Sequence, residues 1–141
     1  MRELAAQRWN GPLDLLHLAE AIEDSGSEQQ WAVESQLERV IEHLLKLEHS
    51  PSQEPRRQWM ISVVDARGEI ERRMTATIRG EVEPAVPNRY RRARRKAELA
   101  LAGYGETDAA RALPQDCPYG LDELLADEWW PANRYGLRDD D

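Results

Sequence analysis

Between residues 33 and 45 the apolar side chains Val33, Leu37, Val40, Ile41, Leu44 and Leu45 recur at intervals of three and four. Such spacing lines up on one side of a helix, because successive residues turn about 100° around its axis. A second set, Trp59, Val63, Ile70, Met74 and Ile78, repeats the pattern at spacings of four and seven. Each stripe must bury itself against another element, and these two are expected to press against each other. Val and Ile nowhere alternate with polar residues in short runs between turns, so strand signals are nearly absent. The expectation is an all-α fold: an up-down helical bundle of about four main helices with short extra helices at the C-terminal end.

Breaker and capping residues divide the chain. Met1 to Arg8 reads as a short first helix stopped by Asn10-Gly11-Pro12, and Asp14 then caps a helix from about Leu15 to Ser25, with Gly26 as its left-handed stop. Ser27 and Gln30 have capping-box spacing and open a longer helix that runs to about His49. After the polar loop Ser50 to Pro55, a third helix starts near Arg56 and ends around Gly80. Asn88 caps a fourth that reaches about Ala102, where Gly103 and Gly105 break it. A helical turn is expected near Thr107 to Ala112, an ordered loop from Pro114 to Gly120 and a last short helix from Leu121 to Asp127. Residues 1–132 are expected to form one domain, and Asn133 to Asp141 a mobile acidic tail.

The chain has 141 residues, 33% charged and 40% hydrophobic, which is the size and composition of one globular domain. It has neither the ~20-residue apolar run of a membrane span nor the features of a secretory signal, so a cytoplasmic protein is expected. The single Cys117 has no internal disulfide partner. A net charge of -8 opposes general attraction to nucleic acid or anionic membrane and points instead to protein partners.

Several short motifs occur together: Leu13-Asp14-Leu15, the stretch Leu18 to Asp24 with Gly26, His43-Leu44-Leu45-Lys46, Arg57 to Trp59, and Pro114 with Cys117-Pro118-Tyr119 and Leu124-Leu125. In this order and spacing they resemble the bacterial family catalogued as domain of unknown function twenty-nine, over nearly the whole chain. The resemblance implies a helical fold and brings no established activity. It singles out Glu20, Glu23, His43, Lys46, Arg57 and Trp59 as a motif cluster. Leu47 stands where the family commonly has tryptophan, and Ala21 replaces a frequent glutamate.

Four constellations merit a chemical reading. On the helical wheel Glu23 falls at the edge of the core side, with Glu20 further out. A half-buried carboxylate there needs Lys46, Arg57 or His43 as an ion-pair partner; with His17, Glu20 and His43 it would otherwise form a metal site. Arg39 and His43 share a flank four residues apart, so they could face one phosphate. Helical ribonucleases of the higher-eukaryote-and-prokaryote nucleotide-binding class place such a pair at slightly wider spacing. The run from Arg89 to Lys96 holds Arg89, Arg91, Arg92, Arg94, Arg95 and Lys96, six basic residues in eight. Its cations spread around the wheel opposite a narrow seam of Tyr90, Ala93, Ala97 and Leu101, and residues 106–141, with ten acidic and three basic side chains, could balance them internally. Lastly, Cys117 is expected to be a small buried hydrophobe, and Trp129 with Trp130 a clamp on the end of the bundle.

No glycine-rich phosphate loop, paired-cysteine motif or nucleophile elbow is present, so neither a cofactor nor a resident metal is expected. The sequence points first to a non-catalytic protein-interaction or regulatory module whose partner is another protein or a second copy. The alternative is an RNA-binding protein or metal-independent ribonuclease using Arg39, His43 and the basic helix 89–96, and a metal-binding bundle comes third.

Overall fold

The computed structural model describes the backbone of residues 11–138 and the side chains of residues 27–138. The expected first helix at Met1 to Arg8 and the closing Asp139 to Asp141 lie outside the described residues. Helices follow in the order α1 (Gly11–His49), α2 (Arg56–Arg73), α3 (Ala76–Val82), α4 (Val86–Gly103), α5 (Thr107–Arg111) and α6 (Leu121–Leu125). The described residues contain no strand.

The apolar stripes are where the periodicity puts them. Val33, Leu37, Val40, Ile41, Leu44 and Leu45 of α1 are all wholly buried, and α2 answers with Trp59, Val63 and Ile70. From α4, Tyr90, Ala93, Ala97 and Leu101 close the third side. Alanine at two of those four positions lets α4 approach α1 closely, since small side chains shorten the distance between helix axes.

Side-chain pairs fix the directions of the long helices. Arg39 meets Ser62 and Leu47 meets Arg56, so α2 runs against α1. Glu34 meets Arg89 and Glu38 meets Arg92 and Lys96, so α4 runs with α1.

Three boundaries differ from the sequence expectation. Gly26 does not stop a helix: the expected segments Leu15 to Ser25 and Ser27 to His49 are one continuous α1 of 39 residues, which reduces the long helices among the described residues to α1, α2 and α4. An interior glycine costs only about 1 kcal/mol against alanine, and cooperative elongation from a buried segment overcomes that. The expected third helix is instead two. Met74 and Thr75 are extended, and the Thr75 hydroxyl accepts from the Ile78 backbone N–H at 3.0 Å, opening α3 as an N-cap. Gly80 therefore lies inside α3. Asn88 is likewise not a cap: α4 begins at Val86 with Pro87 in its first turn, where a missing N–H costs nothing. A 3-10 turn, Glu83–Ala85, joins α3 to α4.

At the far end of α4, Gly105 takes a φ of 82° and lets the Glu106 N–H return to the Leu101 carbonyl. The loop from Pro114 to Gly120 is held at its start by Arg94, whose Nε donates to the Pro114 carbonyl at 2.9 Å, and by the Tyr90 hydroxyl on the same oxygen. Burial pushes the Tyr90 phenol up to about 12.

Where the composition predicts a mobile tail, residues 133–138 meet the C-terminus of α1. Asn133 Nδ2 donates to the carbonyls of Leu47 at 2.8 Å and Ser50 at 2.9 Å, and the Arg134 N–H donates to that of Glu48 at 2.8 Å. These are groups that a helix end leaves without intrahelical partners.

Candidate functional site

The densest charge system among the described residues joins α1 to α4. Glu38 lies on the flank of the α1 stripe and is 3% exposed. Its carboxylate accepts from Arg89 Nη1 at 2.9 Å and Arg92 Nε at 3.1 Å, and Lys96 Nζ lies 2.7 Å away. One turn earlier Glu34 accepts from Arg89 Nε at 3.2 Å. Positions 89, 92 and 96 follow helical spacing, so three cations of α4 descend on one buried acid. Burial raises the Glu38 carboxyl, but hydrogen bonding to Lys96 and Arg89 outweighs it and holds the group below its ordinary value.

Among the described residues three of the six cations of the basic run, Arg89, Arg92 and Lys96, thus pair with carboxylates of α1, where composition suggests the acidic stretch after residue 106. The sequential distance between Glu38 and Arg92 hides the pairing, and only the parallel course of α1 and α4 brings it about. Arg94 is spent on the carbonyls of Leu113 and Pro114. The outward side of the run remains open: Arg92 and Lys96 have side chains 67% and 53% exposed. Beside them a groove of about 720 Å³ is lined by Trp31, Ser35, Glu38, Asn88, Arg91 and Lys96, among others. Trp31 is 65% exposed there.

The other sequence candidates do not converge on one cleft. Arg39 donates through Nε to Ser62 Oγ at 2.9 Å and through Nη1 to Gln36 at 3.4 Å, so it pins α1 to α2. His43 is half-buried with its Nδ1 unpartnered among the described residues. Desolvation, assisted by the nearby Lys46 and Arg39 charges, lowers its pKa to about 4, so the imidazole is neutral near pH 7. Lys46 and Trp59 do meet: the Lys46 ammonium pairs with Glu42 at 2.9 Å and lies 5.7 Å from the Trp59 ring centroid. Arg57 stands exposed on the outer face of α2, away from that pair. The side chains of His17, Glu20 and Glu23 lie outside the described residues. Among the described residues no group of three His, Cys, Asp or Glu side chains is placed to hold a metal ion.

Two buried arginines and a partly buried glutamate escaped the sequence reading. Arg67 is 2% exposed and donates to the carbonyls of Leu124 at 2.9 Å, Glu123 at 3.0 Å and Asp127 at 3.4 Å, at the end of α6. Its guanidinium also lies 5.2 Å from the Trp130 ring centroid. Arg56, beside the exposed Arg57, is buried and donates to the Leu47 carbonyl at 2.7 Å. Glu48 accepts from the Tyr119 hydroxyl at 2.8 Å. Arg67 carried a readable signal, since it falls between Val63 and Ile70 at core spacing.

Around α6 Trp129 meets Tyr119 edge-on at 5.6 Å, and both tryptophans of the expected clamp are partly buried against the core. Cys117 is half-buried, its thiol is pushed up by burial, and it donates only to the Tyr119 carbonyl at 3.4 Å. A raised thiol pKa is the opposite of what a nucleophile requires.

The outer face of α2 is another open surface. Ile61 and Val64 are 46% and 54% exposed, and Met60 is partly buried beside them. A cleft of about 550 Å³ opens at this place, lined by Gln53, Glu54, Met60, Ile61 and their neighbours. No helix among the described residues is long and apolar enough to cross a membrane.

A family model described as Domain of unknown function DUF29 matches residues 1–130. No curated protein and no solved structure matches the chain.

Proposed function

The chain belongs to the DUF29 family, a domain of unknown function, and from that footing we propose that it is a non-catalytic interaction module that pairs with a second copy of itself through the outer face of α2. The observation that carries this reading is the pattern on that face. Arg57, Ile61, Val64, Gly68 and Glu71 follow one another at spacings of four and three, the seam of a coiled coil. Arg57, Ile61, Val64 and Glu71 are exposed, and a Cβ added at Gly68 would meet no atom within 4 Å.

The seam is self-complementary. Set antiparallel about a two-fold axis between Ile61 and Val64, each Ile61 meets Val64 of the other copy. The stem of each Arg57 then crosses the other Gly68, and its guanidinium comes within reach of Glu71, so opposite charges meet at both ends. A single α2 pair covers less than the roughly 800 Å² per partner of a standard interface, which favours a weak, concentration-dependent dimer. Within each copy, α1, α2 and α4 are read as an up-down bundle in one domain, with α5 and α6 as its C-terminal additions.

Sedimentation equilibrium tests the pairing. Mass should rise toward twice the monomer value with concentration, and Ile61→Glu or Val64→Glu should hold the chain monomeric. R57E and E71R should each weaken association, and the double variant should restore it. A chain that stays monomeric up to roughly millimolar concentration, where even about 4 kcal/mol of association would register, overturns the reading.

A further inference from the structure

The groove between α1 and the start of α4 is unlike the rest of a chain whose net charge is -8. Four of its lining residues are cations, Arg89, Arg91, Arg92 and Lys96, against the two carboxylates of Glu34 and Glu38. The charges are layered. Glu38 has a side chain 4% exposed and Glu34 15%, whereas those of Arg92 and Lys96 reach into solvent. The acids form the floor and the cations the rim, so the surface that a ligand meets is positive. Arg92 engages Glu38 through Nε alone, and Arg91 engages Asn88 through Nη2 alone. Both guanidinium groups keep further N–H donors for another acceptor, already steered by the contact they have made.

Trp31 supplies a different kind of surface in the same groove. It is the most exposed of the large hydrophobic residues among those described. It lies seven residues before Glu38 on α1, about 10 Å along the helix axis, with Ser35 between them on the same side. An indole at one end and a cluster of guanidinium and ammonium groups at the other call for a ligand with a flat ring at one end and a dense anion at the other. A carboxylate side chain offers one weak charge and no ring. A nucleotide offers both.

We propose that this groove binds a nucleotide unit, with the base stacked on Trp31 and the phosphate held by Arg91, Arg92 and Lys96. Stacking on an indole is tolerant of base identity, and guanidinium groups suit phosphate oxygens through their paired donors. A free nucleotide and a nucleotide of a single RNA strand present the same chemistry, and the arms of the test below separate the two. This site stands apart from the α2 face, so either can fail without the other.

The test uses the full chain at low ionic strength with adenosine diphosphate, adenosine, inorganic phosphate, a fluorescein-labelled twelve-residue oligouridylate and polyglutamate as probes. Isothermal titration calorimetry reports the small ligands and anisotropy the strand. Adenosine diphosphate or the oligouridylate should bind, and adenosine and phosphate alone should bind at least about tenfold more weakly. Trp31→Ala and Arg92→Gln should each weaken binding about tenfold or more, as expected for loss of one stacked base or one charged contact. Both side chains are exposed, and an unchanged circular-dichroism melt verifies the fold of each variant. Tighter binding of the oligouridylate, with a steep fall as salt rises, assigns the strand. Equal or tighter binding of adenosine diphosphate, a nucleoside diphosphate, assigns the free nucleotide. No binding of either ligand, binding indifferent to Trp31→Ala, or polyglutamate binding of equal strength overturns the proposal; the last would mean that the groove reads charge alone.

Discussion

The Glu38 carboxylate accepts from Arg89 at 2.9 Å and lies 2.7 Å from Lys96, so one side chain of α1 spans two turns of α4. The acid is buried, while Arg92 and Lys96 remain half or more exposed, and the two sides of the contact should therefore respond unequally. Glu38→Gln is expected to cost about 1–3 kcal/mol, because it leaves inward-facing cations without their countercharge. Arg92→Gln should cost less than about 1 kcal/mol, as for a solvent-screened pair. Urea unfolding of the two variants measures the difference, and equal losses would contradict the assignment of Glu38 as the anchor.

Stability should fall on mild acidification through His43. Its folded pKa is about 4 against an ordinary 6.5, so below 6.5 the unfolded chain takes up a proton that the folded chain refuses. The contribution is fully present above about pH 6.5 and is lost as the pH falls toward 4. At the usual 1.4 kcal/mol per pH unit the loss is about 3 kcal/mol. His49, whose pKa is lowered first of all by burial, acts in the same direction. His43→Gln should flatten the unfolding free energy between pH 6.5 and 4 relative to the parent, and an unchanged slope would refute the assignment.

Arg67 should prove indispensable for the C-terminal half of the fold. It satisfies three carbonyls of residues 123–127 and lies against Trp130. Lysine keeps the charge and three N–H donors, but they radiate from one compact ammonium, whereas the three carbonyls are met by three separate nitrogens of a planar fork. Arg67→Lys is expected to lose about 2–4 kcal/mol, summed over unmet buried carbonyls. Hydrogen exchange should localise the damage to residues 121–130, and exchange unchanged there would argue against the role.

Asn133 offers a smaller test. Its side chain donates to Leu47 and Ser50, and its Oδ1 accepts from the Tyr135 and Leu137 backbone N–H groups. Asn133→Ala should lose about 1–2 kcal/mol and speed exchange at residues 134–138, while Asn133→Asp keeps the acceptor and removes the donor. Alanine without effect would mean that the segment seats itself by other contacts.

The long helices and their inward faces were legible because a buried stripe has to repeat with the period of its helix. Leu37 and Ala97 could hardly be placed otherwise. The break at Thr75 was missed because Met74 and Ile78 keep the apolar spacing across it, while the threonine cap is a local hydrogen bond that periodicity does not register. At Gly26 the error was opposite: a residue that can stop a helix was taken as one that does. Of the candidate site, the basic run was visible and its partner was not. Glu38 looks like any surface glutamate until α4 is known to run alongside α1. Arg39 and His43 shared a flank as expected, yet the presence of Ser62 beside Arg39 depends on how α2 docks, and their spacing on α1 says nothing of it.

The unbroken course of α1 through Gly26 leaves the chain little tolerance for changes in length there. One extra residue between Glu38 and Leu44 would rotate everything beyond it by about 100°, swinging either the hydrophobic half or the capped terminus out of phase with α2 and α4. A residue added between Pro114 and Gly120 carries no such rotation. Lengthening or shortening during divergence should therefore fall outside α1, which behaves as a ruler of fixed pitch.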